Sequence, residues 1–79
     1  MGKPFVKLLE FLDRLETAKI HYRLEHVRES IMVMADVPGE RWEIEFFEDG
    51  HVEVERFRSL GGISRDEGLL DLLISEHGA

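Results

Sequence analysis

Seventy-nine residues, with 17 acidic against 10 basic side chains and a net charge of −7, describe one small acidic domain, 1–79, of a size at which a single hydrophobic core is only just sufficient. The chain has no cysteine, so no disulfide or thiolate metal site adds stability, which fits a reducing compartment. The acidic balance argues against nucleic acid as a partner, because phosphate contacts need lysine and arginine, and no apolar run approaches the ~18 residues of a membrane span.

The N-terminal stretch MGKPFVKLLEFLDRLE carries acidic residues among its leucines and has no small-residue cleavage site. It is a poor signal peptide, and a cytoplasmic location is expected. Phe5, Leu8, Leu9, Leu12 and Leu15 recur at the three-to-four spacing of an amphipathic helix, with Glu10, Asp13, Arg14 and Glu16 on the other side. Pro4 suits the first turn of such a helix. Four stretches with period-two alternation follow: Ile20–Val27, Ser30–Val37, Glu40–Phe47 and His51–Phe57. After a Gly61-Gly62 joint, Ser64 to Glu67 read as a capping box, with the Ser64 side chain on the Glu67 amide and the Glu67 side chain on the Ser64 amide. A helix through Leu69, Leu70, Leu72, Leu73 and Ile74 is predicted to follow and to stop near Gly78.

The turns set the register. Pro38-Gly39 suits a type II turn, with glycine at the position of positive φ, so Val37 faces Glu40, Asp36 faces Arg41 and Ala35 faces Trp42. A two-residue Asp-Gly turn in the last hairpin would mix the two faces, since a one-residue slip turns every side chain over. A three-residue loop, Glu48-Asp49-Gly50, with Gly50 left-handed as a bulge, keeps them apart. Phe46 then faces Val52, Ile44 faces Val54 and Trp42 faces Arg56. Around Arg28-Glu29, Leu24 is set opposite Val33 and Tyr22 opposite Ala35. These registers agree across all four strands. One face collects Ile20, Tyr22, Leu24, His26, Ile31, Val33, Ala35, Val37, Trp42, Ile44, Phe46, Val52 and Val54, and both helices can pack there. The predicted fold is α+β, in the order α-β-β-β-β-α: a four-stranded antiparallel meander sheet with two helices on one face.

The opposite face carries the chemistry of interest. Its central rows are Arg23, Met34, Glu43 and Glu55, then Glu25, Met32, Glu45 and Glu53. Glu43 thus faces Glu55, and Glu45 faces Glu53. Like charges directly opposite on neighbouring strands repel, by roughly 0.2–1 kcal/mol per pair. Arg23, Arg41 and Arg58 are available to relieve part of this. As a solvated surface the glutamates keep the sheet soluble. As a docking surface, Glu43, Glu45, Glu53 and Glu55 with Met32, Met34, Phe47 and Phe57 would meet a basic protein. The acidic field would steer encounter while methionine and aromatic side chains supplied contact area. His51 and Glu53, two apart on one strand, with Glu45 opposite, form a mixed nitrogen and carboxylate set of the kind that holds a transition ion. The patch is flat and the second histidine on this face, His21, lies at its far end, so neither a metal nor another cofactor is expected.

His26 is expected at the rim of the inner face, Arg56 with its stem over the Trp42 indole, and His77 in the last helical turn, where a cation suits the helix dipole. Paired carboxylates serve as acid and base only in a cleft that separates their pKa values. No nucleophile constellation or phosphate-cradling glycine loop appears, and a non-enzyme is expected.

The run PGERWEIEFFEDGHVEVERF, residues 38 to 57, resembles a set of short bacterial proteins of uncharacterised function, which share a Pro-Gly turn, a Trp-Glu-x-Glu-Phe-Phe strand, Asp-Gly and a second glutamate-alternating strand. The resemblance implies a bacterial origin and the meander fold and carries no activity. In size and charge the chain also looks like toxin-neutralising immunity proteins, by analogy alone. The leading expectation is a binding protein for a basic macromolecular partner, monomeric or homodimeric. The alternatives are a self-associating module that pairs through an edge strand, Ile20–Val27 or His51–Phe57, and a small metal-dependent protein.

Overall fold

The computed structural model describes residues 3–57, 63–64 and 67–78. The element order is α1 (Lys3–Thr17), β1 (Tyr22–Val27), β2 (Ser30–Val37), β3 (Glu40–Phe47), β4 (Val52–Phe57), β5 (Ile63–Ser64) and α2 (Gly68–His77). Each strand pairs antiparallel with its neighbour in the chain, in the spatial order β1-β2-β3-β4-β5. The α+β architecture of two helices on a four-stranded meander is the predicted one, extended by the two residues of β5 opposite Val54 and Glu55. The strand His51–Phe57 is therefore not the free edge that one reading required.

The turns form as their residues dictate. Gly39 and Gly50 both hold positive φ, 80° and 98°, which glycine adopts without the clash that a Cβ would bring. The Gly50 amide returns to Phe47 O at 3.0 Å and the Phe47 amide to His51 O at 3.0 Å, closing the three-residue loop. All predicted pairs are present, from Tyr22↔Ala35 and Leu24↔Val33 to Trp42↔Arg56, Ile44↔Val54 and Phe46↔Val52.

Helix α1 ends in a Schellman motif. The Ile20 amide reaches Leu15 O at 2.9 Å and the Lys19 amide reaches Glu16 O at 3.1 Å, while Lys19 takes φ 61°. Two of the carbonyls orphaned at the helix end are thereby satisfied, and the accompanying apolar contact is supplied by buried Leu15 and Ile20. The core joins Leu8, Phe11, Leu12 and Leu15 of α1 and Leu70 and Leu73 of α2 to Val33, Ala35, Trp42, Ile44, Phe46, Val52 and Val54 of the sheet. The two helices lie side by side, tied by the ion pairs Lys7–Glu67 (3.1 Å) and Arg14–Asp71.

Three local expectations are corrected. Leu24 and His26 have the inner-face parity but are exposed, because the two helices cover β2 to β4 and leave β1 open. Helix α2 begins at Gly68, three residues later than the capping box implies. Glu67 is its N-cap, without a side-chain cap bond, and the Glu67 carboxylate accepts from Lys7 Nζ instead. The Ser64 side chain, like Gly61-Gly62 and Arg58, lies outside the described residues. Ile20 and His21 precede β1 and His51 precedes β4, although His21 O still accepts from the Asp36 amide at 3.4 Å.

Tyr22 links α1 to the sheet: its hydroxyl donates to the Glu16 carboxylate. That hydrogen bond, then desolvation, then the negative charges of Glu16 and Asp13, raise the phenol pKa above its ordinary 10.0. A raised pKa means that this contribution to stability is fully present below pH 10 and is lost as pH climbs through the folded-state value. Tyr22 is the only tyrosine, so tyrosinate absorbance reports on it alone. Its midpoint is expected above 10 in the wild type and closer to 10 in Glu16→Gln. Equal midpoints would mean that the bond is not held in solution.

Candidate functional site

The outer face of the sheet is built by the odd-numbered positions of β3 and β4, whose even-numbered neighbours Trp42, Ile44, Phe46, Val52 and Val54 are buried. Burial of one parity forces the other to the free side. Glu43 lies opposite Glu55, and Glu45 opposite Glu53, with Met34 paired to Glu43 and Met32 to Glu45 on β2. Met32, Glu43, Glu45, Glu53 and Glu55 line a shallow depression of about 30 Å³. That is room for about one water and too little for an organic substrate.

Every one of these side chains is half-buried by its neighbours, and the glutamates differ in their partners. Glu45 accepts from the buried Ser30 hydroxyl at 2.7 Å, a hydroxyl that also lies 2.8 Å from Val27 O. Arg41 Nε approaches Glu43 at 3.7 Å. His51 lies between two carboxylates, Nδ1 at 2.6 Å from Asp49 and Nε2 at 3.2 Å from Glu53. Glu55 has no ion-pair or hydrogen-bond partner among the described residues, and Arg23, expected to relieve the patch, makes no ion pair there. The aromatic residues stand at opposite ends: Phe47 stacks on His51 at 4.1 Å between ring centres, and the Arg41 guanidinium sits 4.7 Å over the Phe57 ring. The four glutamates and two methionines thus form one continuous patch, bracketed by a histidine-capped and an arginine-capped aromatic ring.

A second polar cluster lies on the opposite face, at the rim of the core. Glu40, with 9% of its side chain exposed, accepts from Trp42 Nε1 at 2.8 Å and from Arg56 Nε and Nη2 at 3.1 and 2.9 Å. Arg56 Nη2 also reaches Glu76 at 2.9 Å, and His77 Nε2 lies 3.3 Å from Glu40. The guanidinium lies 4.8 Å over the Trp42 ring, as its register position predicts. Its pKa is raised, first by the hydrogen bond to Glu40 and then by the charges of Glu40 and Glu76, against an opposing effect of burial. Glu40, Glu76 and His77 place ligand-type atoms within 4.8 Å of one another, but the Arg56 guanidinium already pairs with both carboxylates. The cluster is a clamp that fastens α2 to the sheet. Glu40 escapes notice in a motif search, yet it shares parity with Trp42 and Ile44. A carboxylate on an apolar face demands a cation, and Arg56, opposite Trp42, is the one within reach.

No family model, curated protein or solved structure matches the chain. Among the described residues, no helix is long and apolar enough to cross a membrane.

Proposed function

We propose that the protein is a non-enzymatic binding protein whose outer sheet face docks a basic macromolecular partner. The observation that carries this reading is the pair of glutamate-on-glutamate rungs, Glu43↔Glu55 and Glu45↔Glu53, on strands whose other face is buried in the core through Trp42, Ile44, Phe46, Val52 and Val54. A merely soluble face is served equally well by alternating signs, which would stabilise the pairing rather than oppose it. Met32, Met34, Phe47 and Phe57 add adaptable apolar area beside the charge, and the charge itself accelerates encounter with a cationic surface. The shallow depression offers no cleft to desolvate one carboxylate of a pair, which favours binding over catalysis. An inhibitor or immunity-type role is one specific version, and a cytoplasmic setting suits it.

The reading predicts a stability cost. In urea unfolding, Glu43→Gln/Glu45→Gln/Glu53→Gln/Glu55→Gln is expected to be more stable than the wild type by about 1 kcal/mol at low salt, with the gap narrowing as ions screen the rungs. Basic proteins retained from a cell extract by the wild type at low salt should be lost by the same variant. A variant that is no more stable, and that retains the same proteins, would return the face to the role of a soluble surface.

A further inference from the structure

We infer that the free edge of β1 is a self-complementary interface through which two copies of the chain join their sheets across a two-fold axis. Beyond Tyr22, the inner face of β1 is uncovered. Leu24 is 51% exposed, and on α1 the neighbouring Phe5 and Leu9 are 42% and 44% exposed. Phe5 and Leu9 fall in the helical row that leads to Glu16, which holds Tyr22 of β1, so this row overlooks the open strand. The uncovered strip continues into a groove of about 380 Å³ lined by Pro4, Phe5, Leu8, His26, Ile31 and Phe46. Large apolar side chains gathered beside an open strand mark an interaction surface. The strand has no proline, no lysine and no bulge to blunt its edge, and it runs in unbroken register against β2 from Tyr22 to Val27. Its two charges, Arg23 and Glu25, are of opposite sign and so do not repel a second copy.

The occupant is identified by the hydrogen-bond phase and the charges together. His21 O accepts from the Asp36 amide, so the odd-numbered residues of β1 bond to β2. Tyr22, Leu24 and His26 therefore turn their backbone N–H and C=O groups to the free side. Antiparallel pairing of this edge with itself, with Leu24 opposite Leu24 of the second copy, places these outward-bonding residues against one another, Tyr22 facing His26. The same register sets Arg23 opposite Glu25 and Glu25 opposite Arg23 on the outer face, at the narrow pairs where side chains come closest. Neither Arg23 nor Glu25 has an ion-pair partner among the described residues within its own copy. Both inner-face strips are then brought together over the dyad, in the isologous arrangement that a two-fold dimer requires. Backbone phase and apolar parity both permit this register, and charge selects it over the neighbouring ones, which would set Arg23 opposite Arg23 or Glu25 opposite Glu25. The acidic rungs on β3 and β4 are left free for the proposed partner.

The test is sedimentation equilibrium of the full chain over a range of concentrations, with circular dichroism to verify that each variant keeps its fold. The wild type is expected to dimerise. Arg23→Glu and Glu25→Arg, which each oppose like charges twice across the axis, should raise the dissociation constant at least tenfold. The double variant Arg23→Glu/Glu25→Arg should restore dimerisation, and mixing the two single variants should give a heterodimer. A wild type that stays monomeric at the highest concentration overturns the inference. So does a dimer that is indifferent to the single charge reversals, because it would use another surface.

Discussion

Glu40→Ala is expected to destabilise the fold by about 3 kcal/mol. Removing the carboxylate takes the hydrogen-bond partner from a buried indole N–H, at about 1–3 kcal/mol. It also leaves a largely buried guanidinium without its bidentate acceptor, a loss of about 3–5 kcal/mol when no partner remains. Arg56 keeps Glu76 at 2.9 Å, which holds the total near the lower end. Against a total stability of roughly 4–12 kcal/mol for a chain of this length, that is a large fraction. Glu40→Gln retains an acceptor for the indole and should cost less. Glu40→Ala/Arg56→Met, which removes the orphaned charge while keeping an apolar stem over the indole, should recover part of the loss. Urea unfolding of the three variants checks the order. A cost below about 1 kcal/mol for Glu40→Ala would show that water replaces the carboxylate without penalty and that the clamp is incidental.

Leu73→Ala is expected to be comparably severe, at about 3 kcal/mol, and to act locally. Leu73 is fully buried, and a leucine truncated in a core loses about 2–5 kcal/mol of transfer and packing energy. Helix α2 has ten residues, too few to persist alone in water, and among them only Leu70 and Leu73 are buried. Without Leu73 the helix is held by Leu70, by the partly buried Leu69, Leu72 and Ile74, and by exposed or rim ion pairs through Asp71, Glu76 and His77. Amide hydrogen exchange should therefore show α2 opening before the β2–β3 pairs. If the α2 amides instead exchange in step with the sheet, the helix belongs to the global unfolding unit and its anchoring is shared more widely than these two leucines.

The sheet is legible in the sequence because two independent constraints meet there. Period-two alternation in Glu40–Phe47 admits only one parity inward, and of the turns that the glycines at 39 and 50 permit, it selects those that keep the two faces apart. Any slip would bury Glu43 or Glu45, a conflict large enough to exclude it. The candidate face follows automatically, since Glu43, Glu45, Glu53 and Glu55 occupy the parity left over. Where the sequence misleads, the deciding energy is tertiary. The capping motif at Ser64–Glu67 is a local preference worth about 1 kcal/mol, and Glu67 instead serves Lys7 of a distant helix. Leu24 has the inward parity of its neighbours, but parity assigns a face without saying how far the helices extend over it. The short β5 has no periodic signal, because two residues are too few to carry one.

The order of the strands has a kinetic consequence. The pairings from β1 to β4 join chain neighbours, so those three hairpin closures need loops of only two or three residues, with little entropy to overcome. The contacts between α1 and the α2 end of the chain, Lys7 with Glu67 and Arg14 with Asp71, join residues 60 and 57 positions apart, and a closure that long is expected to follow the local hairpins. Interactions made after the rate-limiting barrier leave the folding rate untouched and slow unfolding. Weakening the helix pair is therefore expected to speed unfolding with little change in folding rate, and weakening the meander to slow folding.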